Sequence, residues 1–140
     1  KFTKMTPFEM AKLHLLSGSL TRPWSAKEYK DLLDTDTIIF FDLEIGFLVG
    51  RIISPDAEIL NIIIHPKFRR LGKAKQLIGK FEKEAKAAGC SRCFLEVAES
   101  NSLANKLYQS LSYLKVGQRK NYYEFVNGCK DNALILAKEI

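Results

Sequence analysis

The chain has 140 residues, 46% of them apolar, and a formal net charge of +6. That length and apolar share suffice for one domain with its own core, so residues 1–140 are read as a single unit. No window approaches the ~20 apolar residues that a membrane span needs. The first residues hold acidic Glu9 and no cleavage-site pattern, which predicts a soluble, intracellular protein.

Three cysteines, an odd number, argue against a disulfide framework. Cys90 and Cys93 form one C-x-x-C with no second ligand pair, so Cys93 is expected to enter a buried strand as a small hydrophobe. His14 and His65 have no nearby ligand partner, and no metal is expected. The charge is concentrated. Residues 65–92 carry nine Lys/Arg and two acids, a balance of +7, while the thirteen basic and fourteen acidic residues elsewhere balance at −1. Such a concentration fits a local polyanion site better than a chain-wide nucleic-acid coat.

In chain order, Thr6-Pro7-Phe8-Glu9 and Ser25-Ala26-Lys27-Glu28 both have capping-box spacing, which predicts helices over 7–17 and 26–33. The loop between them holds the only tryptophan, Trp24. Residues 37–42, 45–53 and 57–64 are rich in β-branched and aromatic types and separated by short turns, as in an antiparallel meander. From Ala74 the apolar residues fall at Leu77, Ile78, Phe81, Ala85 and Ala88, a helical period that turns the lysines and Glu82 to water. Gly89 should end that helix. Residues 92–98 read as a buried strand and 102–111 as a helix, so strands 57–64 and 92–98 should run parallel across a right-handed crossover. Residues 113–126 and 132–140 should close the sheet as a hairpin across Asn127-Gly128. The fold class is α/β, with a mixed, mostly antiparallel sheet and helices on both faces.

The turn from strand 57–64 into the long helix is a ready anion site. The first N–H groups of a helix lack carbonyl partners, and the helix dipole adds partial positive charge there. Gly72 lets the main chain approach a ligand, Ala74 is small, and Arg69, Arg70, Lys73 and Lys75 supply full charges. Neither G-x-x-x-x-G-K-[ST] nor G-x-G-x-x-G is present, so a pyrophosphate held by other geometry is expected.

Arg69-Arg70-Leu71-Gly72-Lys73-Ala74 matches the R/Q-x-x-G-x-G/A signature, and through it the chain resembles the GCN5-related N-acetyltransferases. LEVAESN (95–101) and ANKLYQSLSY (104–113) are similar to the next two landmarks of that superfamily, in the right order. With RPWS (22–25) and RKNYY (119–123), the resemblance extends to the bacterial ribosomal-protein-alanine acetyltransferase family known as RimI. Two positions depart from the family pattern: Ser112 stands where glycine is usual, and Lys73 where an aliphatic residue is common.

The resemblance implies a GNAT fold in which acetyl-CoA, as co-substrate, lies where the two parallel strands splay apart. Main-chain groups of Ile62, Ile63 and Ile64 would meet its pantetheine arm, and Arg69, Arg70, Leu71, Gly72, Lys73, Ala74 and Lys75 its pyrophosphate. Asn101 would cap the following helix or bind the cofactor. Glu96 would be the proton acceptor, Tyr108 the proton donor to the departing thiolate, and Trp24, Tyr122 and Tyr123 the frame of the acceptor groove. Each has a plainer reading from the residues alone. Ile62–Ile64 is core strand, Glu96 a sheet-face acid paired with a lysine, Tyr108 core at helical spacing, and Tyr123 a cross-strand aromatic.

The implied reaction is direct acetyl transfer, in a ternary complex, to the N-terminal α-amine of a ribosomal protein, with alanine the expected residue. An α-amine of pKa near 8 is about a tenth neutral at pH 7, whereas a lysine near 10.4 is neutral only in a few per ten thousand, so one carboxylate suffices as base. A cytoplasmic monomer with no membrane and no direct nucleic-acid partner goes with this reading. The competing readings are acetylation of lysine side chains or a small amine, a nucleic-acid-binding module around residues 65–92, and a catalytically silent CoA sensor.

Overall fold

Residues 4–140 are described by a computed structural model of the chain. Thr6 and Ser25 start the first two helices through reciprocal capping boxes, each hydroxyl accepting the N–H of the glutamate three residues on while that carboxylate accepts the cap's own N–H. The helices are α1 (Pro7–Leu16) and α2 (Ala26–Leu33). Strands β1 (Ile38–Leu43), β2 (Gly46–Ile53) and β3 (Asp56–Ile64) form the expected meander. Only Ser54-Pro55 separates the last two, so β3 begins one residue earlier than the turn composition indicated.

A short 3-10 turn (Pro66–Phe68) leads into α3 (Lys73–Ala87). Strand β4 (Arg92–Ala98), helix α4 (Ser102–Ser110) and strands β5 (Leu114–Glu124) and β6 (Lys130–Glu139) complete the chain. Among the described residues six strands lie in the order β1-β2-β3-β4-β6-β5, with β3 and β4 the one parallel pair.

Two apolar layers sandwich the sheet. On one face Leu77, Ile78, Phe81 and Ala85 of α3 pack with Leu48, Ile59, Cys93, Leu95 and Val97, and α4 adds Ala104, Leu107 and Tyr108. On the other, Met10 of α1 and Tyr29 of α2 pack with Phe40, Phe47, Val49 and Ile63. Cys90 and Cys93 are free thiols buried in the first layer, as a hydrophobic reading of Cys93 required. No helix among the described residues is long and apolar enough to cross a membrane.

One expectation is corrected. Glu82 does not face water: it accepts the Tyr113 hydroxyl at 2.8 Å and pairs with Lys138 at 2.9 Å. The helical period places it at the margin of the apolar stripe, and the ends of β6 and the α4–β5 turn then cover it.

The feature that positions the site is a bulge in β3. Gly50 is opposite Ile59 and Val49 opposite Asn61, which makes Leu60 an extra residue. Ala57 and Ile59 face the α3 layer before it, Ile62 and Ile64 after it, so the alternation shifts by one. The β3–β4 ladder stops at this point, with Ile59↔Leu95 its last pair.

Candidate active site

Past Ile59 the two parallel strands diverge, and Ile62, Ile63 and Ile64 keep partners only on the β2 side while Glu96, Val97 and Ala98 keep them only on β6. Main-chain groups on both sides of this gap are therefore free to pair with an extended ligand, as an added strand would. At its mouth lies the start of α3. Gly72 is left-handed (φ 75°), and among the described residues no side chain caps the helix and the N–H groups of Lys73, Ala74 and Lys75 stand open. A Cβ at Gly72 would meet nothing within 4 Å among the described residues, so glycine is favoured there by conformation and leaves room above the turn.

The charges around this turn do not all serve it. The Arg69 guanidinium donates to the Ser17 carbonyl at 2.7 Å, fastening the turn to the end of α1. Arg70, left-handed at φ 64°, is exposed beside Leu71, and Arg70, Lys73 and Lys75 form no ion pair among the described residues. An uncapped helix start, three unpaired cations and an open main chain fit a pyrophosphate. Together with the gap they could hold an acylated coenzyme A.

Asn101 caps α4, its Oδ1 accepting the Ala104 N–H at 3.2 Å. That helix carries Tyr108, half-buried against the α3-side core with its ring 6.1 Å from Tyr113. Burial pushes its phenol up to about 12, and among the described residues its hydroxyl makes no hydrogen bond. The core reading of Tyr108 thus holds for its ring, while the hydroxyl is not used in that packing.

Glu96 projects from the opposite face of β4 to Leu95 and Val97 and lines a hollow of about 450 Å³ with Phe94, Arg51 and Arg119. Its partner is an arginine: Nε of Arg119 lies 3.2 Å from Oε1. Sequence reading missed Arg119 as a site residue, although it opens the RKNYY segment. The Arg119 guanidinium also lies 5.2 Å from the Tyr122 ring centroid, and Tyr122 meets Tyr123 edge-on at 5.4 Å. Burial first, then the charges of Glu96, Tyr122, Tyr108 and Asp131, push the Tyr123 phenol up to about 12. Tyr123 thus lies within electrostatic reach of both Glu96 and Tyr108.

A second bulge sets where these tyrosines lie. The β5–β6 register skips between Arg119 and Tyr123, and Asn121 takes φ 48° with its N–H bound by Asn132 Oδ1 at 3.0 Å. The Asn132 amide also donates to Glu99, and Asp131 accepts both N–H and hydroxyl of Ser100, so β6 ties the tyrosine arch to the loop after Glu96. Neither residue was singled out in the sequence, because an amide and an acid in a hairpin carry no signal of their own.

Trp24 lies in the α1–α2 loop. Its ring contacts are His14 and Tyr29, and it lines a second hollow with Leu60 and Arg51. Arg51 belongs to both hollows, which therefore adjoin. The Val126 N–H donates to the Leu20 carbonyl, bringing the hairpin tip to the α1–α2 loop.

A gap for an extended thioester carrier, an anion-binding helix start, and a carboxylate and a phenol on either side of the sheet define a class: acyltransferases that use coenzyme A. The comparisons agree. Residues 11–113 match the Acetyltransferase (GNAT) family. The ribosomal protein bS18-alanine N-acetyltransferase of Haemophilus ducreyi is 33% identical over 139 residues, 97% of this chain and 92% of its own length. The chain belongs to the GNAT family and is an acetyltransferase.

Solved structures repeat the fold. The crystal structure of the corresponding Escherichia coli enzyme has a TM-score of 0.82 at 24% identity, covering 93% of this chain and 84% of that one. Arabidopsis thaliana NAA60, solved in complex with acetyl-CoA, has a TM-score of 0.80 at 18% identity, covering 97% and 96%.

Proposed function

We propose that this chain transfers the acetyl group of acetyl-CoA to the N-terminal α-amine, on alanine, of the ribosomal protein bS18. The observation that carries the proposal is its likeness, over 97% of its length, to an enzyme named for that reaction. Acetyl-CoA lies in the gap between β3 and β4, its pantetheine along Ile62–Ile64 and its pyrophosphate at the N–H groups that open α3. The acceptor enters from the Glu96 face, past Tyr122 and Tyr123, with Trp24 at the far end of the adjoining hollows.

Glu96 takes a proton from the ammonium, directly or through water, and the freed nitrogen attacks the thioester carbonyl carbon. As the new C–N bond forms the C–S bond breaks, Tyr108 gives its proton to the leaving thiolate, and the second proton shed by the acylated nitrogen returns through water to the phenolate, so that the one net proton released is the one Glu96 took. Burial keeps the phenol protonated, so the proton is present when the thiolate leaves. One ternary complex carries the whole transfer with no acyl-enzyme, in the cytoplasm and as a monomer.

The test is intact-mass analysis of ribosomal proteins after incubation with enzyme and acetyl-CoA. The expected result is one added acetyl group on bS18. A peptide beginning with alanine should be acetylated, and an amine-blocked peptide carrying lysine should not. Acetylation of the blocked peptide alone would give the lysine reading instead, and an acetylated cysteine trapped with acetyl-CoA alone would end direct transfer.

A further inference from the structure

We infer that Arg119 is a positioning residue for the transfer, holding one oxygen of the Glu96 carboxylate so that the other is presented to the incoming amine. The inference rests on Glu96 being the base and goes beyond it. Nε of Arg119 lies 3.2 Å from Oε1, while Oε2 has no hydrogen-bond partner among the described residues. A glutamate at the edge of an open hollow has rotatable bonds to lose before it can act, and one fixed charged partner removes much of that freedom. Guanidinium suits the task because it is planar and charged at every working pH.

Arg119 has a second contact, its guanidinium carbon lying over the Tyr122 ring at 5.2 Å from the centroid. Tyr122 is 53% exposed and belongs to the arch proposed to frame the acceptor. The carboxylate, the guanidinium and the aromatic wall thus form one stack, so a peptide that settles against Tyr122 also orders Arg119 and, through it, Glu96.

The pair does not serve to hold the sheet. At the edge of the β5 bulge the Arg119 main chain pairs with Ala133, and the ladder resumes at Tyr123↔Asp131, so the strand pairing uses its backbone and not its side chain. The Arg119 side chain is 54% exposed and that of Glu96 23%, and an ion pair with one partner standing in solvent adds little to stability. The roles of support and positioning can therefore be told apart.

The test compares Arg119→Ala, Arg119→Gln, Arg119→Lys, Glu96→Gln and the Glu96→Gln/Arg119→Ala double variant, using acetyl-CoA and an alanine-ended peptide. Arg119→Ala and Arg119→Gln should each lose about 10-fold in kcat with KM for acetyl-CoA unchanged and the melting transition intact. Arg119→Lys should lose less, and guanidinium ion at non-denaturing concentration should restore part of the alanine variant's activity. In the Glu96→Gln background, Arg119→Ala should cost nothing further, because it acts through Glu96. Wild-type turnover in Arg119→Ala, full losses that multiply in the double variant, or no restoration by guanidinium would each overturn the inference. Wild-type turnover in Glu96→Gln alone would remove the base assignment itself and the inference with it. That outcome is read from a single variant and is distinct from the others.

Discussion

The main-chain N–H of Trp24 donates to Nδ1 of His14 at 3.0 Å, and the Tyr29 hydroxyl meets the same nitrogen at 2.8 Å. A nitrogen that accepts an N–H cannot itself be protonated, so His14 is held neutral with its proton on Nε2. Burial also pushes its pKa below the ordinary histidine value of 6.5. Through this nitrogen the α1–α2 loop, with Trp24, is fastened to the core.

Stability should therefore depend on pH through His14. The unfolded chain binds a proton near pH 6.5, and the folded chain only at lower pH. The contribution of neutral His14 is thus complete above about 6.5 and is lost progressively as pH falls toward the folded-state value. Urea unfolding between pH 7.5 and 5 should show a falling midpoint. In His14→Gln, which keeps an amide oxygen near the two donors, this part of the slope should vanish; an unchanged slope would show that other groups cause it.

Ser112 takes φ 73° at the end of α4, where the Tyr113 N–H reaches back to the Tyr108 carbonyl. A Cβ is disfavoured in that conformation, so serine carries strain there that glycine would not. Ser112→Gly should stabilise the fold by about 0.5–1 kcal/mol, raising the urea midpoint with no change in m. A lower midpoint would mean that the hydroxyl has a partner worth more than the strain.

Gly50 of β2 lies directly under the Phe81 ring, and a Cβ there would be 2.6 Å from Cζ of that ring. Phe81 is fully buried, so it has little room to move. Gly50→Ala should destabilise by about 1–3 kcal/mol, with α3 and the anion-binding turn at its start displaced. A weaker binding of coenzyme A should accompany the loss, read by titration calorimetry beside thermal melting.

Tyr108→Phe should lower kcat about 100-fold with KM for acetyl-CoA little changed. With the phenol at about 12, the proton-donating form persists as pH rises and is lost only on approaching that value. The wild-type kcat profile should then show no fall from Tyr108 below about pH 11. Equal turnover in the phenylalanine variant would leave the phenol a core residue only.

Local elements were legible because their signals are local. The Thr6 and Ser25 caps bring their glutamates into reach by spacing alone, and α2 and β4 span the residues that their patterns mark. The strand-to-helix turn at Gly72 was legible for the same reason, since the residue type answers a backbone conformation. Glu96 and Tyr108 came from the family resemblance, because an acid in a strand and a tyrosine on a helix each suit a structural role equally well.

What the sequence determined by itself, then, is where backbone hydrogen bonds and side-chain periods make helices and strands, and where positive charge gathers. The tertiary structure decided the rest. The Leu60 bulge lies in an apolar run where either face suits every residue, so only the register against β2 shows where β3 leaves β4. The partner of Glu96 depends on β6 lying between β4 and β5, with Arg119 reaching across it, and Glu82 turns inward only because Tyr113 and Lys138 meet it there. These are contacts between residues far apart in the chain, and a side chain's own type does not specify which distant group the folded sheet will bring to it.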